Sequence, residues 1–175
     1  MSVDGIILCS VNCGETYEKF LKSLKIPIIT VGNRLENFPY VGIDNTKAMS
    51  DAIAYVVEQE YEYLYYVKPK LGEENISAQQ ERLNAFLDTC CIENVDYKLL
   101  SLQEAMQMEQ ASGLYTTDFK RRSAFICPTD TYAIRLMDIA KKCGMGIIGF
   151  DNISVIEELH LGLDSVAYDV QETAN

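Results

Sequence analysis

Two short apolar runs in this chain each end in a carboxylate. Ala124–Cys127 is followed by Pro128, Thr129 and Asp130, and Gly146–Phe150 is followed by Asp151 and Asn152. Runs of this length and composition read as buried strands. In an open parallel α/β sheet, small molecules bind at the C-terminal edge of the strands. A carboxylate there accepts hydrogen bonds from ligand hydroxyls, and its charge makes them about twice as strong as neutral ones. A pair of carboxylates could also divide the acid and base work of a small-substrate hydrolase. Asp130 has a local alternative as well, capping the helical stretch that begins at Thr131.

Other catalytic chemistries lack their partners. Cys127 or Cys13 as a nucleophile needs a base, yet the single histidine, His160, sits in Glu158-Leu159-His160-Leu161 and reads as a surface or helix-end residue. The glycines Gly144, Gly146 and Gly149 precede a strand instead of opening a helix, which is not the pattern of a phosphate-binding loop. The six cysteines lie scattered, mostly in apolar runs, and neither Cys9-x3-Cys13 nor Cys90-Cys91 has a second pair at metal-site spacing. They are expected to be reduced, buried small hydrophobes of a cytoplasmic protein, with no metal and no cofactor.

A formal charge of -11, from 15 basic and 26 acidic residues, argues against a surface that grips phosphate backbones. Any contact with nucleic acid would fall to another segment. The chain has no long apolar run and no basic leader, so neither a membrane span nor a signal peptide is expected.

The elements that must position Asp130 and Asp151 alternate. Strands are expected at Gly5–Cys9, Pro27–Val31, Leu64–Val67, Tyr97–Leu100, Ala124–Cys127, Gly146–Phe150 and Leu163–Tyr168. Helical apolar spacing occupies Gly14–Leu24, Thr46–Glu60 with Asn45 as its cap, Ser77–Cys90, and Thr131–Cys143 closing on Gly144. A further helix is expected over Gln103–Tyr115. The loop from Lys68 to Asn75 follows a strand and reads either as a solvated turn or as facing a ligand. Strands alternating with helices imply parallel sheets wound with crossovers.

The ordered motifs Val3-Asp-Gly-Ile-Ile-Leu8, Ile26-Pro-Ile-Ile-Thr-Val-Gly32, Val41-Gly-Ile-Asp-Asn45, Arg82-Leu-Asn-Ala-Phe86, Phe125-Ile-Cys-Pro-Thr-Asp130, Ile147-Ile-Gly-Phe-Asp-Asn152 and Leu163-Asp-Ser-Val166 resemble the effector-binding domain of LacI/GalR-family transcriptional regulators, itself similar to periplasmic sugar-binding proteins. The resemblance runs over essentially the whole chain. It implies a two-lobe α/β fold with parallel sheets flanked by helices and the first lobe incomplete. Residues 1–45 would be part of the N-terminal lobe, 46–149 the C-terminal lobe, 150–168 a return to the N-terminal lobe, and 169–175 the start of the final crossover. The chain is then expected to be a fragment whose DNA-binding headpiece lies elsewhere.

By the same resemblance Arg82 matches an effector-clamping arginine, whose planar guanidinium can grip adjacent hydroxyls or a carboxylate; its alternative is a surface arginine. Asp130 and Asp151 match effector-contacting positions, and Asp151 has a hinge hydrogen bond to backbone as its alternative. Asp44, Asn45 and Asn152 match the hinge. The pattern departs from the family at Ala85, where glycine is usual, and at Glu60-Tyr61, where Gly-His is usual. Leu102 lies near the place of a sugar-stacking aromatic, for which Tyr132 or Tyr115 is the candidate stand-in. The implied function is an effector sensor binding a sugar or sugar phosphate, homodimeric, and reaching operator DNA only through a headpiece. Candidate dimer contacts are the Tyr17/Phe20/Leu24 face and the Tyr61–Tyr66 edge. A solute-binding protein for uptake shares the fold, and a hydrolase stays open as a reading from another class.

Overall fold

The computed structural model describes residues 3–9, 14–70, 76–108 and 121–168. Within them the chain runs β1 (Ile6–Cys9), α1 (Glu15–Ser23), β2 (Ile28–Val31), β3 (Tyr40–Val41), α2 (Asn45–Glu58), β4 (Tyr63–Lys68), α3 (Ile76–Ile92), β5 (Asp96–Ser101), α4 (Leu102–Met106), β6 (Ser123–Ile126), α5 (Asp130–Cys143), β7 (Gly146–Phe150), α6 (Val155–Glu158) and β8 (Asp164–Val166). The strands form two sheets, β1-β2-β3 and β5-β4-β6-β7-β8, and every pairing is parallel.

Alternation along β4 explains how the larger sheet is covered on both faces. Leu64 and Tyr66 point into one cluster with Met49, Ile53 and Val56 of α2 and Phe86 and Cys90 of α3. Tyr65 and Val67 point into the other, with Ala105 of α4 and Ala133 and Leu136 of α5. A sheet buried on both sides needs near-continuous apolar strands, and β4 and β6 supply them. Each fully buried Leu or Phe contributes about 1.5–3 kcal/mol. Leu21, Ile28 and Leu35 form a separate, smaller core for the first sheet.

Helix ends follow local chemistry. Gly144 closes α5 at φ 65, a left-handed conformation that glycine adopts at little cost. The cap of α2 is Asp44, whose side chain accepts from Lys47 N at 2.9 Å, and not the expected Asn45, which is the helix's first residue. Ser101 and Glu104 form a reciprocal capping box that starts α4.

Other expectations are corrected. Residues 150–168 do not return to the first sheet: β8 pairs with β7 from Ile148↔Asp164 to Phe150↔Val166, completing the larger sheet. The strand expected over Leu163–Tyr168 is confined to Asp164–Val166. Tyr65 and Tyr66 are core residues, so the Tyr61–Tyr66 edge offers no continuous outer surface, whereas Tyr17 and Phe20 are exposed. Cys90 and Cys127 are buried as expected, but Cys9 and Cys91 are exposed because each sits on the outward side of its element. The helix expected over Gln103–Tyr115 is described only as the short α4; Tyr115, Cys13, the 71–75 part of the Lys68–Asn75 loop and residues 169–175 lie outside the described residues.

Because all strands run the same way, Lys68, Ser101, Ile126, Phe150 and Val166 end at one edge of the larger sheet. The chain enters this sheet at β4, moves outward to β5, and then returns past β4 to β6. That reversal opens a crevice at the C-terminal edge, where ligands bind in doubly wound sheets.

Candidate functional site

Arg82, on α3, spans the crevice. Its Nε donates to Asn45 Oδ1 at 2.9 Å, one Nη to the Pro128 carbonyl at 2.7 Å, and the other Nη to Asp151 Oδ1 at 3.1 Å. The guanidinium also lies 3.6 Å from the centroid of the Phe150 ring, within cation–π range. The residue is 5% exposed, which excludes the surface-arginine reading. One planar fork thus ties α2, α3, the β6–α5 turn and the end of β7, a task a lysine point charge could not perform.

Asp130 is fully buried, and its carboxylate bonds to the chain elsewhere than at the helix start. Thr129 is the N-cap residue of α5, and Asp130 does not cap the helix. Its Oδ2 accepts from Ile153 N at 2.9 Å and its Oδ1 from the Ser165 hydroxyl at 2.6 Å. The carboxylate therefore pins the β7–α6 turn and β8 onto α5. Gly149 makes this possible, since a Cβ there would lie 2.1 Å from Asp130 Oδ1.

Asp151 and Asn152 follow with φ 101 and φ 47, consecutive positive values that turn the chain sharply at the sheet edge. For a non-glycine residue φ 101 is strained, and such strain concentrates at functional turns. The turn is held by Asp151 N donating to the Val166 carbonyl at 3.0 Å and Asn152 N to Ser165 Oγ at 3.0 Å. Burial pushes the Asp151 carboxyl above its usual range, the facing Arg82 guanidinium draws it down, and neighbouring Asp130 adds to the rise. Since β8 stays in the larger sheet, Asn152 lies in an internal turn of that lobe and not at a crossover between lobes.

The link between the sheets runs from β3 through Asp44 into α2. Asn45 is buried there, donating from Nδ2 to Glu81 Oε2 at 2.8 Å while accepting from Arg82. Glu81 also pairs with Arg34 of the first lobe at 3.7 Å, and Arg34 stacks on Tyr40. Ser77 donates to Asn33 Oδ1 and accepts from Arg34 N at 3.4 Å. The N-terminal part of α3 thus bears the polar contacts between lobes. Glu81, Ser77 and Ser165 were missed by sequence reasoning; the only signal was the i, i+4 spacing of Ser77 and Glu81 on one helix face.

Open space lies next to this network. A cavity of about 1050 Å³ at the ends of β4 and β5 is lined by Lys68, Lys70, Gln79, Leu102, Tyr132 and Arg135, among others. Leu102, near the place of the missing aromatic, and Tyr132, one of its two stand-ins, both line it, and the Tyr132 hydroxyl accepts from Lys70 N at 3.0 Å. A second cavity of about 490 Å³ lies between α2 and β8, lined by Lys47, Tyr55 and Asp164. Arg82, Asp130 and Asp151 line neither; the structure brings these three together as the frame of the edge. Cys127 is buried, and burial pushes its thiol up, with Asp130 adding to the rise, so it is a poor nucleophile at neutral pH.

No family model and no curated protein matches the chain. Solved structures do: a regulatory protein of the LacI family from Chloroflexus aggregans superposes with a TM-score of 0.77 at 24% identity, over 98% of this chain and 65% of that one. The fold is shared with LacI-family regulators. A periplasmic binding protein/LacI transcriptional regulator from Alkaliphilus metalliredigens, complexed with D-xylulofuranose, gives 0.73 at 21% identity, over 98% of this chain and 65% of that one. A LacI-family regulator from Enterococcus faecalis with bound ribose gives 0.73 at 23% identity, over 99% of this chain and 66% of that one. At these identities the likeness is one of fold. The chain spans 65% of the length of the Chloroflexus protein, and against these two-lobed neighbours its first lobe is incomplete. No helix among the described residues is long and apolar enough to cross a membrane.

Proposed function

We propose that this chain is the effector-sensing part of a LacI-type transcriptional regulator, taking a small polar ligand of the carbohydrate class at the crevice between its lobes. The observation that carries the reading is the cavity at the C-terminal ends of β4 and β5, whose described lining comes from the second lobe and includes Gln79, Gln80 and Leu83 of α3, the helix whose Ser77 and Glu81 hold the first lobe. A ligand seated there presses on the helix whose polar contacts tie the second lobe to the first. Occupancy becomes a change in lobe orientation, which is the coupling between distinct sites that allosteric control requires.

In this reading Arg82, Asp130 and Asp151 fix the frame against which the lobes move, and Arg82 and Asp151 reach an effector only as the lobes close. Asp44 and Asn45 form the hinge, and Asn152 steadies the edge turn. Operator DNA is contacted by a helix-turn-helix outside this chain, in a cytoplasmic homodimer, and no catalysis occurs. The sugar ligands of the Alkaliphilus and Enterococcus neighbours support the carbohydrate class. The exposed Cys9 and Cys91 thiols favour a reducing compartment over the uptake alternative.

A thermal-shift panel of sugars, sugar phosphates, nucleobases and amino acids tests the reading. A ligand at 100 times its dissociation constant adds about 2.7 kcal/mol of stability. The expected hit is a carbohydrate that is recovered chemically unchanged. A folded chain silent to the whole panel, or one that turns the hit over, overturns the proposal.

A further inference from the structure

The charge of the large cavity runs against the charge of the chain. The protein carries a net -11, yet the described lining of this cavity contains Lys68, Lys70 and Arg135 and no carboxylate. The neutral lining is hydrogen-bonding or apolar, with Gln79, Gln103 and Tyr132 among the former and Leu102 among the latter. Glu104 is not part of that lining: its carboxylate accepts from Ser101 N at 2.6 Å in the α4 capping box, which holds its carboxyl below the usual range, with Lys68 and Lys98 adding to the fall. The cations come from separate elements, Lys68 and Lys70 from the end of β4 and Arg135 from α5. They face one space from two sides. Tyr132 and Arg135 are three residues apart on α5 and so share a helix face, and Arg135 Nη2 lies 4.0 Å from Sδ of Met106, another lining residue.

A neutral sugar gives such a site no reason to gather cations in an acidic protein, because its hydroxyls can be held by amides or, more strongly, by the carboxylates that the chain has in excess. A phosphate ester or a sugar acid does, since guanidinium and ammonium donors make charge-assisted hydrogen bonds to anionic oxygens. Resting on the effector reading above, we propose that the ligand is an anionic polyol. Lys68, Lys70 and Arg135 hold its charged group, Gln79 and Gln103 its hydroxyls, and Leu102 and Tyr132 the carbon skeleton. Since Lys68, Lys70 and Arg135 are exposed side chains, substituting them leaves the core intact.

Calorimetric titration of the 175-residue chain tests the proposal with D-ribose, D-glucose, ribose 5-phosphate, glucose 6-phosphate, D-gluconate and inorganic phosphate. The expected result is that an anionic member binds at least about tenfold tighter than its neutral parent, and that Lys70→Gln and Arg135→Gln each lose about tenfold for it, the range of a hydrogen bond to a charged group. Neutral-sugar binding is expected to change less than about threefold. Preference for gluconate over the esters assigns the charge to a carboxylate, and the reverse to a phosphate; either supports the proposal. A neutral sugar binding as tightly as its ester, in native and variant chains alike, overturns the anionic ligand and leaves the effector reading standing. Inorganic phosphate binding as tightly as any ester keeps the anion site and overturns the carbohydrate reading. No binding by a folded chain overturns both.

Discussion

Replacing Arg82 by Met probes the frame of the crevice most sharply. Methionine keeps the aliphatic stem but removes every donor and the cation over the Phe150 ring. Asp151 is then left as a largely buried carboxylate without its partner, and breaking a buried pair costs about 3–5 kcal/mol. Asn45 Oδ1 and the Pro128 carbonyl lose donors as well, which brings the expected cost to about 4–6 kcal/mol once overlap between the losses is allowed for. That is a large part of the 5–15 kcal/mol typical of a domain. The double variant Arg82→Met with Asp151→Asn removes the orphaned charge and is expected to recover about 2 kcal/mol. The deficit also depends on pH. Folding raises the Asp151 pKa, so the folded chain retains that proton longer, and the stability it contributes is lost as pH rises through the raised value. Without Arg82 the rise is larger, so the gap between variant and native chain widens from acid toward neutral pH. Urea unfolding at several pH values measures all of this. A single-variant cost below about 1 kcal/mol, or a double variant no better than the single, refutes the reasoning.

Further outcomes follow from other contacts. Gly149→Ala drives a Cβ into Asp130 Oδ1 and is expected to cost about 2–3 kcal/mol by urea unfolding, with faster hydrogen exchange at Ile153 as the Asp130 bond is displaced. Tyr66→Phe is expected to be neutral or to stabilise by about 1 kcal/mol, because the buried Tyr66 hydroxyl has no hydrogen-bond partner among the described residues. Glu81→Gln should change stability by less than about 1 kcal/mol, since its pair with Arg34 is partly exposed, yet increase exchange across Asn33–Val41 as the tie between lobes weakens.

Much of the fold was legible because parallel strands buried on both faces must be apolar along their length, and β4, β6 and β7 are. Helix α5 could be read from its spacing and its Gly144 stop. Register across the sheet could not, since β8 is three residues long and its place beside β7 depends on the Asp130 bonds to Ser165 and Ile153, contacts distant in sequence. The family resemblance likewise grouped Arg82, Asp130 and Asp151 without revealing the hydrogen bonds that each makes within the protein. Asp130 looked like a cap because it adjoins a helix start; burial beneath Gly149 turns its side chain toward β8 instead. The cavity cations were hidden for a related reason, as Lys68, Lys70 and Arg135 come from separate segments that only the fold unites.

Amide hydrogen exchange of the chain, with and without the carbohydrate hit from the thermal panel, tests the central claim directly. The account predicts protection at Lys68–Lys70, along the Gln79 turn of α3 and over Leu102–Gln107, with a smaller change at Asn33–Val41 as the lobes shift. Protection confined to α2 and β8, around the smaller cavity, would contradict it.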